Sequence, residues 1–171
     1  SCLALGLSEG DVLWTSPNSY VASANVGLLC NAEVDFVDID SETYNMCSTA
    51  LSMKLRDAEK NGKLPKIVMP VHFAGQSCDM INIKKLSEKY GFKIIEDASH
   101  AIGGVYKNTK IGSCKFSDIT VFSFHPVKII TTAEGGCATT NDENIFEKLK
   151  LLSSHGVTRN PKNMVKKTLD K

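Results

Sequence analysis

Residues 119–136 read ITVFSFHPVKIITTAEGG. The opening ITVFS is apolar, β-branched and aromatic, the composition of a strand buried on both faces. The run breaks at Pro126 and delivers one lysine, Lys128, into a segment rich in Thr and Gly, five positions after Ser123. An ammonium just past the end of a buried strand loses hydration unless it gains a partner or gives up its proton. A lysine used to form a Schiff base needs that kind of site. Taken alone, Lys128 also fits a surface lysine whose stem lies along apolar side chains.

Outward from this stretch the chain alternates strand and helix. Strands are predicted at 12–15, 33–37, 66–70, 93–96, 119–123 and 137–140. Helices are predicted at 20–30 with Ser19 as N-cap, 49–60 stopped by Asn61-Gly62, 79–90 closed by Gly91, and 144–152 capped by Asp142. Residues 105–111 read as a hairpin around Lys107-Asn108. Repeated βα units imply an α/β fold, a mostly parallel sheet with helices on both faces. No linker, repeat or low-complexity segment interrupts it, and the basic tail after Gly156 carries no assignment. The opening SCLALGL is apolar from its second residue, lacks an N-cap and ends at Gly6 like a helix C-terminus. From this we expect sequence upstream.

At 171 residues the chain has the size of one domain with a real core. An apolar fraction of 42% and a charged fraction of 23% are those of an ordinary globular protein. A net charge of +1 gives no electrostatic case for a nucleic acid or membrane partner. No apolar run is long enough to span a bilayer, and no stretch reads as a signal peptide. The six cysteines are scattered without a CxxC pair. That spacing argues for reduced thiols in a cytoplasm rather than a disulfide framework or a zinc site, so no metal site is expected.

In an open parallel sheet, ligands sit outside the carboxyl ends of the strands. The polar residues that come after strands are Ser16 to Tyr20, Asp38, His72, Asp97 with His100, Ser123 and Lys128, and they should converge on one crevice. As a set they suit pyridoxal phosphate, which needs an amine, a carboxylate for the pyridine nitrogen, an aromatic face and donors for the phosphate. Lys128, Asp97, Tyr20 and Ser123 supply these in turn. Neither GxGxxG nor GxxxxGK[ST] is present, which removes support from dinucleotide and nucleoside-triphosphate readings. Plainer readings stand beside these: Asp97 as a loop acid or helix cap, Tyr20 as core, His72 and His125 as core or loop histidines, His155 as structural.

EDASHAIGG and FSFHPVKIITTAEGG resemble the signatures of the DegT-type sugar aminotransferases, fold type I enzymes that use pyridoxal phosphate. ALGLSEGDVLWTSPNSYVASAN, VDFVDID and PVHFAGQSCDM resemble other blocks of that family in order, so the likeness covers nearly the whole chain, up to about LLSSHG. Within the family, HPVKIITTAEGG is most similar to enzymes that aminate carbon 4 of a UDP-linked 4-keto-6-deoxy sugar in the pseudaminic acid pathway. The resemblance implies that Lys128 bonds the cofactor's aldehyde and moves the proton, and that Asp97 pairs with the pyridine nitrogen. It implies that His100 stands where the family has Gln or His near the ring hydroxyl, that Tyr20 stacks on the ring and that Ser123 donates to the phosphate. It further implies a nucleotide-sugar substrate, an amino-acid donor (glutamate), a cytoplasmic homodimer and a place in amino-sugar biosynthesis for cell-surface polysaccharide. Residues 1–171 would form the cofactor-binding large domain of such an enzyme, truncated at both ends. The turn that cradles the phosphate, the Gly-x-Asn-x-Arg segment that reaches the partner subunit and the small C-terminal domain do not occur in the sequence, so a site in this polypeptide alone is expected to be incomplete. Two other readings remain: a cofactor-binding dehydratase relative, against which Lys128 speaks because that branch carries histidine there, and a large-domain remnant used for binding or assembly.

Overall fold

The structure, a computed structural model, describes residues 1–158 and 160; the basic tail lies outside the described residues from 161 on. Six segments form one sheet: β1 (Val12–Thr15), β2 (Glu33–Phe36), β3 (Ile67–Met69), β4 (Lys93–Asp97), β7 (Ile119–Ser123) and β8 (Gly136–Thr139). Their order is β2-β1-β3-β4-β7-β8. All neighbours are parallel except β7 and β8, which are antiparallel. The predicted α/β architecture is thus present. The inner strands are apolar because both their faces are covered: every residue of β3 is buried. Between β4 and β7 lies a hairpin of β5 (Val105–Tyr106) and β6 (Thr109–Lys110). Its turn residues Lys107 and Asn108 both have positive φ, as a two-residue hairpin turn whose twist matches the strands requires.

Successive strand residues point to opposite faces, and the core divides accordingly. Trp14, Val68 and Ile94 face α2 (Ser48–Lys60) and α3 (Met80–Tyr90), packing with Leu51, Leu55 and Ile83. Leu13, Ile67, Ile95 and Ile119 face the other way, toward Val26 of α1 (Ala22–Leu28) and Ile145 of α4 (Glu143–Ser153). α1 sits very close to the sheet: a Cβ on Gly27 would come within 2.6 Å of Val34 Cγ2 and 3.5 Å of Leu13 Cβ. α3 ends on Gly91 in the left-handed region, and α4 starts where Asp142 Oδ1 accepts from Ile145 N at 3.0 Å, both as predicted. Ser19 is not the cap of α1. Its hydroxyl turns back to the carbonyls of Ser16 and Tyr20, and the helix starts after Val21 with no side-chain cap, so it is shorter than the predicted 20–30.

A buried polar cluster sits on the α2/α3 side of β4. His72 Nδ1 accepts from the Cys78 amide at 3.2 Å, so Nε2 carries the proton and donates to Glu96 Oε2 at 2.8 Å. Glu96 Oε1 accepts from the hydroxyls of Ser117 and Thr120. Burial raises the Glu96 carboxyl, but the bonds from His72, Ser117 and Thr120 together outweigh it and hold the group below the ordinary glutamate range. A carboxyl held lower in the folded than in the unfolded chain adds stability that is present above the unfolded value and is lost as pH falls through the folded one. Glu96→Ala removes the acceptor of three buried donors, leaving His72 Nε2 unsatisfied while Ser117 and Thr120 keep each other, and is expected to cost about 2–4 kcal/mol in urea unfolding at neutral pH. The same variant should lose less stability on acidification than the wild type, and an equal acid response in the two would refute the assignment.

Candidate active site

The carboxyl edge of the sheet is built around β4 and β7. In their register Asp97 lies opposite Val121, so β4 ends on Asp97 and β7 runs two residues further to end on Ser123. The Asp97 backbone is pinned on both sides: its amide donates to Pro70 O at 2.9 Å and its carbonyl accepts from His72 N at 3.0 Å. Its side chain is held by three donors. Oδ1 accepts from the Ser99 amide at 3.1 Å and the Ser99 hydroxyl at 2.6 Å, and Oδ2 accepts from the Ser23 hydroxyl of α1 at 2.9 Å.

After Ser123 the chain leaves the sheet in a closed loop. Phe124 N donates to Gly135 O at 2.8 Å, Thr132 N to Phe124 O at 3.0 Å, and His125 Nδ1 lies 2.8 Å from Glu134 Oε1. The glycines at the loop's return permit this closure, since a Cβ on Gly136 would meet Phe122 O at 2.7 Å. Inside the loop Lys128 N donates to His125 O at 2.9 Å, and the lysine side chain reaches out of it to place Nζ 2.9 Å from His100 Nε2. The loops after β4 and β7 therefore meet through an amine and an imidazole. His100 is backed by the turn Phe73–Gly75, where Gly75 at φ +89 has room for no Cβ, because one would lie 2.6 Å from His100 O.

Of the residues singled out from the sequence, Asp97, His100, Ser123 and Lys128 share this edge. Ser123 is half-buried, with its Oγ 3.4 Å from His125 N. Tyr20 stands at the head of α1 at 79% exposure, so it is not a core residue and its ring faces are open. Two polar residues grouped with the site by position are elsewhere. Asp38 comes after the edge strand β2, is exposed and accepts from the neighbouring amide of Ile39. His72 is turned into the core against Glu96. Ser23 and Ser99 were not singled out. Ser99 stands two residues after Asp97, the spacing of an Asx turn, and was readable as such. Among the described residues Ser16, at the end of β1 and 2% exposed, keeps a buried hydroxyl with no hydrogen-bond partner. Among the same residues no group of His, Cys, Asp and Glu is placed to hold a metal ion, and no helix is long and apolar enough to cross a membrane.

The donor set fits pyridoxal phosphate: an amine held by an imidazole, a carboxylate fixed on three sides, a hydroxyl at a strand end and an open aromatic face.

Comparison with known proteins gives three kinds of likeness. The DegT/DnrJ/EryC1/StrS aminotransferase family matches residues 1–169. The UDP-4-amino-4,6-dideoxy-N-acetyl-beta-L-altrosamine transaminase of Campylobacter jejuni is 42% identical over 157 residues, 91% of this chain and 40% of that protein. Among solved structures, a DegT DnrJ EryC1 StrS aminotransferase from Brucella abortus matches with a TM-score of 0.87 at 31% identity, covering 93% of this chain and 43% of that one. PseC of Helicobacter pylori, an aminotransferase involved in the biosynthesis of pseudoaminic acid, matches with a TM-score of 0.81 at 34% identity, covering 92% and 41%. The chain spans about two fifths of the length of the curated relatives it matches.

Proposed function

Because this chain belongs to the DegT/DnrJ/EryC1/StrS aminotransferase family, we propose that it is the cofactor-binding large domain of a pyridoxal-phosphate enzyme that moves an amino group from an amino acid to a nucleotide-linked keto sugar. The observation that carries this reading is the contact of Lys128 Nζ with His100 Nε2 at 2.9 Å, three residues beyond a carboxylate held by Ser23 and Ser99. Aminotransferases of this family use pyridoxal phosphate, which when bound supplies an aldehyde to carry the amino group and a ring that accepts electrons.

The chain's own residues divide the remaining work. Lys128 would be the amine that holds the aldehyde, and its nitrogen would be the group that holds and moves a proton. His100 orients that nitrogen from the neighbouring loop. Asp97 offers its carboxylate to the pyridine nitrogen, a charge-assisted bond that favours the protonated ring. Tyr20 offers a ring face for stacking, and Ser123 a hydroxyl for the phosphate. A lysine at position 128 favours transfer over dehydration, since the dehydratase relatives carry histidine there.

The substrate we infer is a UDP-linked 4-keto-6-deoxy sugar, supported by the 42% identity to the Campylobacter jejuni transaminase, and the donor that the family resemblance implies is glutamate. A cytoplasmic homodimer fits the cysteine pattern and the family. The test is to incubate the full-length enzyme that carries this domain with pyridoxal phosphate, glutamate and that ketosugar, and to follow 2-oxoglutarate and the amino sugar by mass spectrometry. Equal amounts of the two products are expected. Consumption of the ketosugar by dehydration, without amine in the product, would overturn the proposal.

A further inference from the structure

We propose that Ser23 is a positioning residue for Asp97, and that it leaves Asp97 Oδ2 as the oxygen that meets the cofactor's pyridine nitrogen. The inference rests on the reading of Asp97 as the partner of that nitrogen. The terminal torsion of an aspartate is broad, so a rotamer alone does not set the plane of its carboxylate. Fixing the plane takes a hold on both oxygens. Ser99 supplies one hold, but it sits two residues from Asp97 and moves with the same turn. Ser23 supplies the other from α1, 74 residues away in sequence. Among the described residues, only this bond ties the carboxylate to an independent element.

The lone pairs then assign the open side. A carboxylate accepts at about four sites, two on each oxygen. Ser99 fills both sites on Oδ1, with its amide and its hydroxyl. Ser23 fills one on Oδ2. The remaining acceptor site is on Oδ2, beside Ser23.

The same serine also seats the aromatic residue. Ser23 N donates to Tyr20 O at 3.1 Å, so the turn that carries the Ser23 hydroxyl is the turn that presents Tyr20. α1 has only seven residues and no side-chain cap, so this turn depends on tertiary anchors rather than on its own helical stability. Gly27 holds one end of α1 against β1 and β2, and the Ser23–Asp97 bond holds the other. A single hydroxyl therefore registers the ring that stacks and the acid that pairs against the same cofactor.

A bland alternative is that Ser23, 4% exposed, has merely satisfied its buried hydroxyl with the nearest acceptor. The two accounts separate in measurements on the cofactor-loaded full-length enzyme with Ser23→Ala, Ser23→Thr and Asp97→Ala. If Ser23 positions Asp97, Ser23→Ala melts close to wild type, yet glutamate bleaches the visible band about tenfold more slowly, the effect of losing one hydrogen bond to a charged group. The pH midpoint of the visible band also moves toward that of Asp97→Ala, and Ser23→Thr, which keeps the hydroxyl, restores both readouts. If Ser23→Ala fails to fold, Ser23→Cys keeps the volume with a much weaker donor and is read in the same way. A wild-type band midpoint and bleaching rate in Ser23→Ala or Ser23→Cys, while both are changed in Asp97→Ala, would overturn the positioning role and leave the reading of Asp97 intact. A wild-type band and rate in Asp97→Ala itself would overturn the reading and this inference together.

Discussion

Replacing Lys128 with alanine is expected to reduce amino transfer by at least about a thousandfold, because one side chain is asked both to anchor the cofactor and to carry the proton, and positioned proton transfer alone is worth about 10²–10⁴. The fold should survive the change. Lys128 lies in a loop after the last parallel strand, is half-buried, and makes its side-chain contact with His100 rather than with the core. The full-length wild-type enzyme loaded with pyridoxal phosphate should show a visible absorption band, and borohydride should fix the cofactor to the peptide that carries Lys128. Lys128→Ala should bind cofactor without covalent attachment and show no such labelling. His100→Ala gives an internal comparison: it removes the partner at 2.9 Å but leaves the amine, so labelling should persist. Label found on another lysine, with Lys128→Ala still coloured, would sink the assignment.

Legibility in the sequence tracks the range of the interactions involved. β1 and β7 form over the residues predicted for them, because an apolar β-branched run bounded by turn residues is a local signal. Asp97, Ser123 and Lys128 each sit at or just past the end of such a run, and all three stand at the carboxyl edge. Asp38 sits just past a run of the same kind and at the same edge of the sheet, but after the outermost strand β2, away from β4 and β7, because strand order is set by pairing between distant segments. Strand alternation explains a second difference. Glu96 and Asp97 are neighbours at the end of β4, yet they point to opposite faces, so Glu96 enters the core with His72 while Asp97 reaches α1. Ser23 gave no signal at all. A serine early in a short helix looks like any small residue, and its partner is 74 positions away.

Asp97→Ala is expected to slow amino transfer by at least about a hundredfold while the cofactor stays attached, as when one preorganised electrostatic partner is removed from a catalytic site. The structure makes the effect of this acid separable from that of its neighbours. The Asp97 backbone is fixed by Pro70 O and His72 N, bonds that alanine keeps, so the edge of β4 should hold its shape. The side chain's three donors, the Ser99 amide and the hydroxyls of Ser99 and Ser23, lose their acceptor, which costs stability by about 1–3 kcal/mol and should appear in the melting curve. That loss is too small to unfold the domain and has no bearing on the bond to Lys128, so borohydride should still label Lys128 in Asp97→Ala. Asp97→Asn divides the effect further. It preserves shape and one acceptor oxygen but no negative charge, so it should recover most of the stability and little of the rate, since a charge-assisted bond to a pyridinium needs the carboxylate. Single-turnover bleaching by glutamate is the measurement that isolates this step from release of the sugar product. A near-normal rate in either variant would mean that the pyridine nitrogen does not depend on Asp97, and that the three hydrogen bonds around it serve only to close the end of β4.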